Sequence, residues 1–326
     1  MGIDTYQVVD DPMTARFGFL FPGQGAQYVG MGKDLYSHYP LAKKTFDDAD
    51  RILGFSLSNI CFNGPEEELT RTLRAQPAIY VTSLTALNVL REKIPDLKPA
   101  FSAGLSLGEF TALAAAGSIS FESGIRLVQL RAQAMEDCAK ANPGTMASIL
   151  GLAPEACEKA AREAGCEVAN LNSPDQIVLS GRIDAVEKAC RLAEEAGAKK
   201  AIMLRVGGAF HSSLMRGAKD ALETVLSQTD IRDPQCPFVS NAAGTLIADA
   251  KSIRRLLAEQ LVSPVQWIKT MAIAAAQNIP TFIEIGPGKV LKGLAKKSQP
   301  TLKIEPCGSK DDIEKLEQDL KLSQTS

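Results

Sequence analysis

Histidine is scarce in this chain, and several hallmarks of large protein classes are absent. The 326 residues include only two histidines, His38 and His211. No apolar run is long enough to cross a bilayer as a helix, so we expect no membrane association. The seven cysteines are scattered and odd in number, and no pair has C-x-x-C spacing. This pattern favours reduced cysteines in a cytosol-like compartment over a disulfide framework or a zinc site.

An excess of charge of one sign is also missing. The chain carries 36 Lys and Arg against 38 Asp and Glu, a net charge of -2. This balance argues against a dedicated nucleic-acid binder. The segment from Met1 to Arg16 is acidic and lacks an apolar core, so we expect neither a secretory signal nor a transit peptide. The expected location is cytoplasmic, and an organellar one stays open if a targeting segment has been removed.

The most informative motif present is G-x-S-x-G, from Gly104 to Gly108. A short apolar stretch before it predicts a strand, and an alanine-rich stretch after it predicts a helix. Small residues on both sides allow a sharp strand-to-helix turn that exposes the Ser106 hydroxyl. The spacing therefore predicts a nucleophile elbow, with the helix N-terminus directed at the group that is attacked.

A serine nucleophile needs a neighbouring base, most often histidine. His211 follows a predicted apolar strand and two glycines, Gly207 and Gly208, and it is predicted to start a helix. His38 lies in a polar stretch typical of a helix end. The order of serine before histidine also occurs in α/β-hydrolases. We therefore predict that His211 is the base and that His38 has no catalytic role.

The periodicity of apolar residues predicts an α/β fold with an insertion. Strands and helices over 141–206 follow the order βαββαβ, which indicates a small ferredoxin-like subdomain. The predicted main domain comprises 16–140 and 207–310. The charged stretch 311–326 is predicted to be a C-terminal helix or a frayed tail. Residues from Gln76 to Leu90 should form a buried helix.

Five motifs in a fixed order resemble those of malonyl-CoA:acyl carrier protein transacylases and the acyltransferase domains of fatty acid and polyketide synthases. The resemblance runs from about Phe17 to about Lys297 and is carried by FPGQGAQ at Phe21–Gln27, GLSLGE at Gly104–Glu109, GAFHS at Gly208–Ser212, SPVQW at Ser263–Trp267 and EIGPGKVL at Glu284–Leu291. It implies an α/β-hydrolase-like core interrupted by a ferredoxin-like subdomain. It also implies ping-pong transfer of malonyl from coenzyme A to the phosphopantetheine thiol of acyl carrier protein.

The resemblance assigns roles to individual residues. Ser106 would be the nucleophile and His211 its base, and Gln260 would orient His211 through its backbone carbonyl. The remaining roles concern the substrate: an oxyanion hole from Gln24 and the Leu107 amide, a malonyl-carboxylate clamp from Arg131, and pocket walls from Phe210 and Asn172. No metal or cofactor is implied, because malonyl-CoA is a substrate, and a monomer is the expected state.

Two other interpretations stay open at this point. A serine hydrolase with the same Ser–His pair would lose its acyl group to water without an acceptor thiol, and a non-catalytic subunit would not acylate Ser106 at all. One departure from the family pattern is Leu105, where most members have histidine. If His211 is the base, activity should fall at acid pH, and a profile flat from pH 5 to 8 would count against that role.

Overall fold

The computed structural model describes residues 17–95 and 97–324. Arg16, the first residue of the predicted main domain, lies outside this range, as do the segment before it and the last two residues. Within the described ranges, ten strands form two sheets, and they are β1 Phe17–Phe21, β2 Pro99–Gly104, β3 Thr145–Leu150, β4 Glu167–Ser173, β5 Gln176–Gly181, β6 Lys200–Met203, β7 Phe238–Ser240, β8 Thr245–Ile247, β9 Thr281–Ile285 and β10 Ile304–Cys307.

Fourteen α-helices accompany these sheets among the described residues. They are α1 Lys33–His38, α2 Pro40–Leu53, α3 Leu57–Asn63, α4 Glu66–Thr70, α5 Thr72–Lys93, α6 Gly108–Ala115, α7 Phe121–Ala141, α8 Pro154–Ala164, α9 Ile183–Glu195, α10 Arg216–Gln228, α11 Ala250–Glu259, α12 Trp267–Ala275, α13 Val290–Ser298 and α14 Lys310–Gln324. Two short 3₁₀ helices lie at Ser213–Met215 and Gln260–Val262. The chain is thus of mixed α/β class.

The larger sheet has six strands in the order β10-β9-β1-β2-β7-β8. All pairings are parallel except that of β7 with β8. Side chains of β1 alternate between the two faces: Phe19 and Phe21 join one apolar core, and Leu20 joins the other. Phe21 pairs with Gly104, so β1 and β2 end at the same edge. The loops that follow these two strands therefore meet there.

The smaller sheet is antiparallel, in the order β4-β5-β3-β6, and helices α8 and α9 cover one face. Its elements follow one another as βαββαβ, as the pattern over 141–206 predicts. A short parallel bridge ties this unit to the rest, because Leu171 N–H donates to Val265 C=O at 2.9 Å and Val265 N–H to Ala169 C=O at 2.8 Å.

One detail differs from the sequence-based boundaries. The last strand of the smaller sheet ends at Met203, short of residue 206, where the βαββαβ pattern is predicted to end. Of the two alternatives for the C-terminal stretch, the described residues form the helix: α14 begins at Lys310, and Ile313 and Leu316 are buried in the main core. The predicted buried helix is confirmed as α5.

Candidate active site

The G-x-S-x-G stretch forms a sharp turn between β2 and α6. Ser106 has φ 52°, a left-handed backbone conformation that is uncommon for a residue with a side chain. A Cβ on Gly104 would overlap the Gly108 carbonyl, and one on Gly108 would overlap the carbonyl of Phe21. Only glycine fits at these two positions, so the motif builds the elbow that its spacing predicts.

Asn241, just after β7, ties the elbow in place. Its Oδ1 accepts the Ser106 N–H at 2.6 Å, and its Nδ2 donates to the Gly104 carbonyl at 2.8 Å. Asn241 is fully buried, so these bonds satisfy two backbone groups that are shielded from water. Sequence reasoning missed this residue, because an asparagine followed by small residues and a glycine is typical of any turn.

His211 is the residue that the structure brings to Ser106. Its Nε2 lies 2.8 Å from Ser106 Oγ, and its Nδ1 lies 2.8 Å from the Gln260 carbonyl oxygen. A carbonyl can only accept, so Nδ1 carries the proton and Nε2 is free to accept from the serine. His211 has φ 58° and lies in a turn two residues before a 3₁₀ helix, so the prediction that it starts a helix is wrong.

The protonation of His211 is set by its surroundings. Burial and the nearby positive charge of Arg131 lower the pKa of His211 to about 4. The imidazole is therefore neutral at pH 7, as a base must be. The expectation of a fall in activity between pH 8 and 5 needs correction, because the protonation lies below that range. His38 is elsewhere, exposed at the end of α1, with Nδ1 2.8 Å from the Asp34 carbonyl.

Arg131 projects from α7 into the same site and is almost completely buried. Its Nη2 donates to Ser106 Oγ at 3.0 Å, and its Nη1 to Gln76 Oε1 at 2.6 Å. Nε has no acceptor among the described residues. Burial lowers the pKa of Arg131 to about 10, so the guanidinium stays charged at neutral pH. A buried cation with a free donor suits an anionic ligand.

Gln260 and Glu109 complete the polar network, and both are buried. The Gln260 side chain accepts from Arg131 Nη2 at 2.8 Å and donates to the Ser106 carbonyl at 3.0 Å and to the Glu109 carboxylate. Burial raises the pKa of Glu109 to about 7. Sequence reasoning foresaw the Gln260 backbone carbonyl but missed its side chain, Glu109 and Gln76.

The two predicted oxyanion groups lie at the edge where β1 and β2 end. The backbone N–H groups of Leu107 and Gln24 have no acceptor among the described residues. Leu107 is the residue that precedes α6, where the helix dipole favours negative charge. The Gln24 side chain donates to Thr72 Oγ1 at 3.4 Å, a long bond. Both residues line a cavity of about 340 Å³ that also contains Ser106 and His211.

The remaining predicted residues, Phe210 and Asn172, also line this cavity. Phe210 is buried in its wall, and Asn172 presents an Oδ1 that lacks a partner among the described residues. Leu105 also lines it and packs against Gly23. Asn170 lines the cavity too and was not foreseen. The charged groups in the wall are Arg131 and Arg205, and no aspartate or glutamate is among the described lining residues.

Metal-binding clusters and membrane-spanning helices are both absent from residues 17–95 and 97–324. No three or more His, Cys, Asp or Glu side chains in this part of the chain are arranged to hold a metal ion. None of its helices has the length and apolarity that crossing a membrane requires.

Comparison with known proteins gives a consistent result. The malonyl CoA-acyl carrier protein transacylase of Bacillus subtilis (strain 168) is 44% identical over 312 residues, which span 94% of this chain and 98% of that protein. The protein of the same name from Escherichia coli (strain K12) is 40% identical, over 88% of this chain and 94% of its own length.

Solved structures agree. A malonyl-transacylase in complex with a type II PKS acyl-carrier protein aligns with TM-score 0.90 at 36% identity, over 94% of this chain and 100% of its own. An acyl carrier protein S-malonyltransferase from Vibrio cholerae aligns with TM-score 0.89 at 39% identity, over 93% of this chain and 100% of its own. The acyl transferase domain family matches residues 18–321. This chain is therefore a member of the acyl transferase domain family and an acyltransferase.

Proposed function

We propose that this protein transfers a malonyl group from malonyl-CoA to the phosphopantetheine thiol of acyl carrier protein, through a malonyl-Ser106 intermediate in a ping-pong reaction. One observation carries the proposal: Ser106 Oγ lies 2.8 Å from His211 Nε2 and 3.0 Å from Arg131 Nη2, in one cavity. A nucleophile, a base and a buried cation thus meet at one oxygen. The names of the relatives support malonyl-CoA and acyl carrier protein as the two partners.

In the first half-reaction, His211 Nε2 accepts the hydroxyl proton as Ser106 Oγ attacks the thioester carbonyl carbon. The oxyanion of the tetrahedral intermediate accepts hydrogen bonds from the backbone N–H groups of Leu107 and Gln24. One such donor is worth about 3–4 kcal/mol in the barrier. The intermediate then collapses, the C–S bond breaks, and the imidazolium returns its proton to the leaving coenzyme A sulfur.

In the second half-reaction a thiol is the nucleophile and Ser106 is the leaving group. The phosphopantetheine thiol loses its proton to His211 Nε2 and attacks the malonyl-Ser106 ester carbonyl. The C–O bond breaks, and Ser106 recovers the proton from the imidazolium. The Gln260 carbonyl accepts from Nδ1 throughout, so the ring keeps its tautomer and orientation.

The choice of a malonyl group rests on the charge of the cavity. Malonyl differs from acetyl by a free carboxylate, and the planar guanidinium of Arg131 offers it charge-assisted hydrogen bonds. Arg131 Nε is without an acceptor among the described residues, and no acidic side chain is among those that line the cavity. The Phe210 ring in the wall leaves less room for a branched acyl group, and Asn172 offers a polar contact from the smaller sheet.

The proposal extends to the architecture and setting of the protein. The six-stranded sheet and the elbow between β2 and α6 support an α/β-hydrolase-like core of 16–140 and 207–310. The βαββαβ order and antiparallel sheet of the insertion support a ferredoxin-like subdomain over 141–206. We further infer a cytoplasmic monomer that needs no metal or cofactor and supplies fatty acid or polyketide chain extension.

The test is intact-mass analysis of the protein mixed with malonyl-CoA, acetyl-CoA or methylmalonyl-CoA, beside Ser106→Ala. We expect a malonyl adduct on the wild type, none on the variant, and discharge of the adduct when phosphopantetheinylated acyl carrier protein is added. Free malonate accumulating without an acceptor thiol would instead indicate a serine hydrolase. Absence of both adduct and turnover would indicate a non-catalytic protein.

A further inference from the structure

The side-chain amide of Gln260 has two ends with opposite hydrogen-bonding roles, and the site uses both. Its Oε1 accepts from Arg131 Nη2 at 2.8 Å, and its Nε2 donates to the Ser106 carbonyl at 3.0 Å. A flipped amide would place its NH₂ against the guanidinium, donor against donor, and its oxygen against a carbonyl. The orientation of this one amide therefore decides whether Arg131 Nη2 has a second acceptor besides Ser106 Oγ.

Glu109 is the third group on this amide. Its carboxylate accepts from Gln260 Nε2, and the nearby Asn241 backbone and Ser240 side chain favour its ionised form. Glu109 is almost completely buried, and it is not among the residues that line the cavity. When Glu109 is ionised it can only accept, so it then binds the NH₂ end of Gln260 and not the oxygen end. Its pKa is raised to about 7, so the acylation rates are compared at pH 8, where the ionised form predominates.

We propose that Glu109 is a positioning residue for acyl-carboxylate selection: it fixes the Gln260 amide with its oxygen toward Arg131, and so holds the guanidinium at the nucleophile. This inference rests on the proposed transfer of malonyl. Glu109 touches neither Ser106 Oγ nor the cavity and acts through Gln260. The base is oriented separately, because His211 binds the Gln260 backbone carbonyl, which does not change when the side-chain amide turns.

The expected consequence is an effect on selectivity. Glu109→Gln keeps the size of the side chain, but its amide can donate as well as accept, so either orientation of Gln260 becomes tolerable. We expect the rate of Ser106 acylation by malonyl-CoA to fall about tenfold further than the rate with acetyl-CoA, the factor expected for one weakened hydrogen bond to a charged group. General destabilisation would lower both rates together. Glu122→Gln, the same change at an exposed position on α7, is the control.

A double-variant cycle tests whether Glu109 acts through Gln260. Gln260→Met removes both ends of the amide and keeps the backbone carbonyl for His211. We expect Gln260→Met to lose malonyl selectivity, and Glu109→Gln to add nothing to that loss in the double variant. An unchanged or improved malonyl-to-acetyl ratio in Glu109→Gln, or fully additive losses, would overturn the inference.

Failure of this inference can be distinguished from failure of the proposed function. A wild type that forms no malonyl adduct refutes the function, whereas a wild type that prefers malonyl, beside variants with the same preference, refutes only the role of Glu109. If Glu109→Gln does not fold, as judged by its circular dichroism spectrum, Gln260→Met alone decides. Retained malonyl selectivity in Gln260→Met would show that the amide does not position the clamp.

Discussion

Replacement of Arg131 by alanine is the perturbation from which most can be learned. Arg131 is buried and donates to Ser106 Oγ, Gln76 and Gln260, and its Nε has no acceptor among the described residues. The substitution removes the charged group that we propose binds the malonyl carboxylate. Acetyl has no carboxylate, so it loses only what Arg131 contributes to the catalytic groups themselves, through its hydrogen bond to Ser106 Oγ and its effect on the pKa of His211.

The magnitude follows from the type of hydrogen bond that the substitution removes. A hydrogen bond to a charged group contributes about 1.5–3 kcal/mol, so malonyl-CoA should lose roughly 10-fold to 150-fold more in kcat/KM than acetyl-CoA. The variant leaves the buried Glu109 carboxyl without its neighbouring cation. The protein can still fold with Glu109 neutral, because the pKa of Glu109 is already raised to about 7 and rises further without Arg131. We therefore expect a folded but less stable variant.

The assay measures acylation rates with both thioesters and a thermal melt of each protein. Arg126→Ala is the matched control, because Arg126 lies on the same helix but is exposed and pairs with Glu122. It should change neither rate by more than about twofold, since exposed ion pairs contribute little. An equal loss of both substrates in Arg131→Ala would refute the carboxylate role.

Four further outcomes follow from the structure. The rate of Ser106 acylation by acetyl-CoA, which does not use the carboxylate clamp, should stay level from pH 8 to 5 and fall only near pH 4, because the pKa of His211 is lowered to about 4; a midpoint near 6.5 would contradict this. Loss of the Arg131 charge should move that fall to higher pH, since a neighbouring cation lowers the pKa of His211. Gly108→Ala should abolish acylation because a Cβ overlaps the Phe21 carbonyl, whereas Gly293→Ala, with open space in α13, should stabilise the fold by up to about 1 kcal/mol as measured by denaturant titration.

Much of the fold could be read from local pattern. Apolar periodicity indicates α5 and the four strands and two helices of the smaller unit, and the glycines at 104 and 108 indicate the elbow, because each of these features is encoded within a few neighbouring residues. The last strand of the smaller sheet stops at Met203 although apolar residues continue to Val206, because its pairing with β3 ends at Met203. The burial of Ile313 and Leu316 depends on packing with distant helices, which a charged stretch does not reveal.

In the site, too, some residues could be predicted from the sequence and others could not. Ser106 and His211 carry recognisable chemistry, and the family resemblance supplied Arg131 and the Gln260 carbonyl. Asn241 and Glu109 act through bonds with residues far away in the sequence, so no local pattern indicates them. The lowered pKa of His211 could not be predicted from the sequence either, because it arises from burial and from a cation on another element of the fold.

The distribution of charge around the nucleophile offers a physical reason for the neutral partner of the base. A carboxylate hydrogen-bonded to His211 would stabilise the imidazolium, but it would also repel a second carboxylate carried by the acyl group. Here a backbone carbonyl of Gln260 orients His211 without charge. The buried carboxylate that does reach the network, Glu109, stands behind the Gln260 side chain and is not among the groups that line the cavity. Arg131 is thus left to meet the negative charge of the substrate, at the cost of a weaker base.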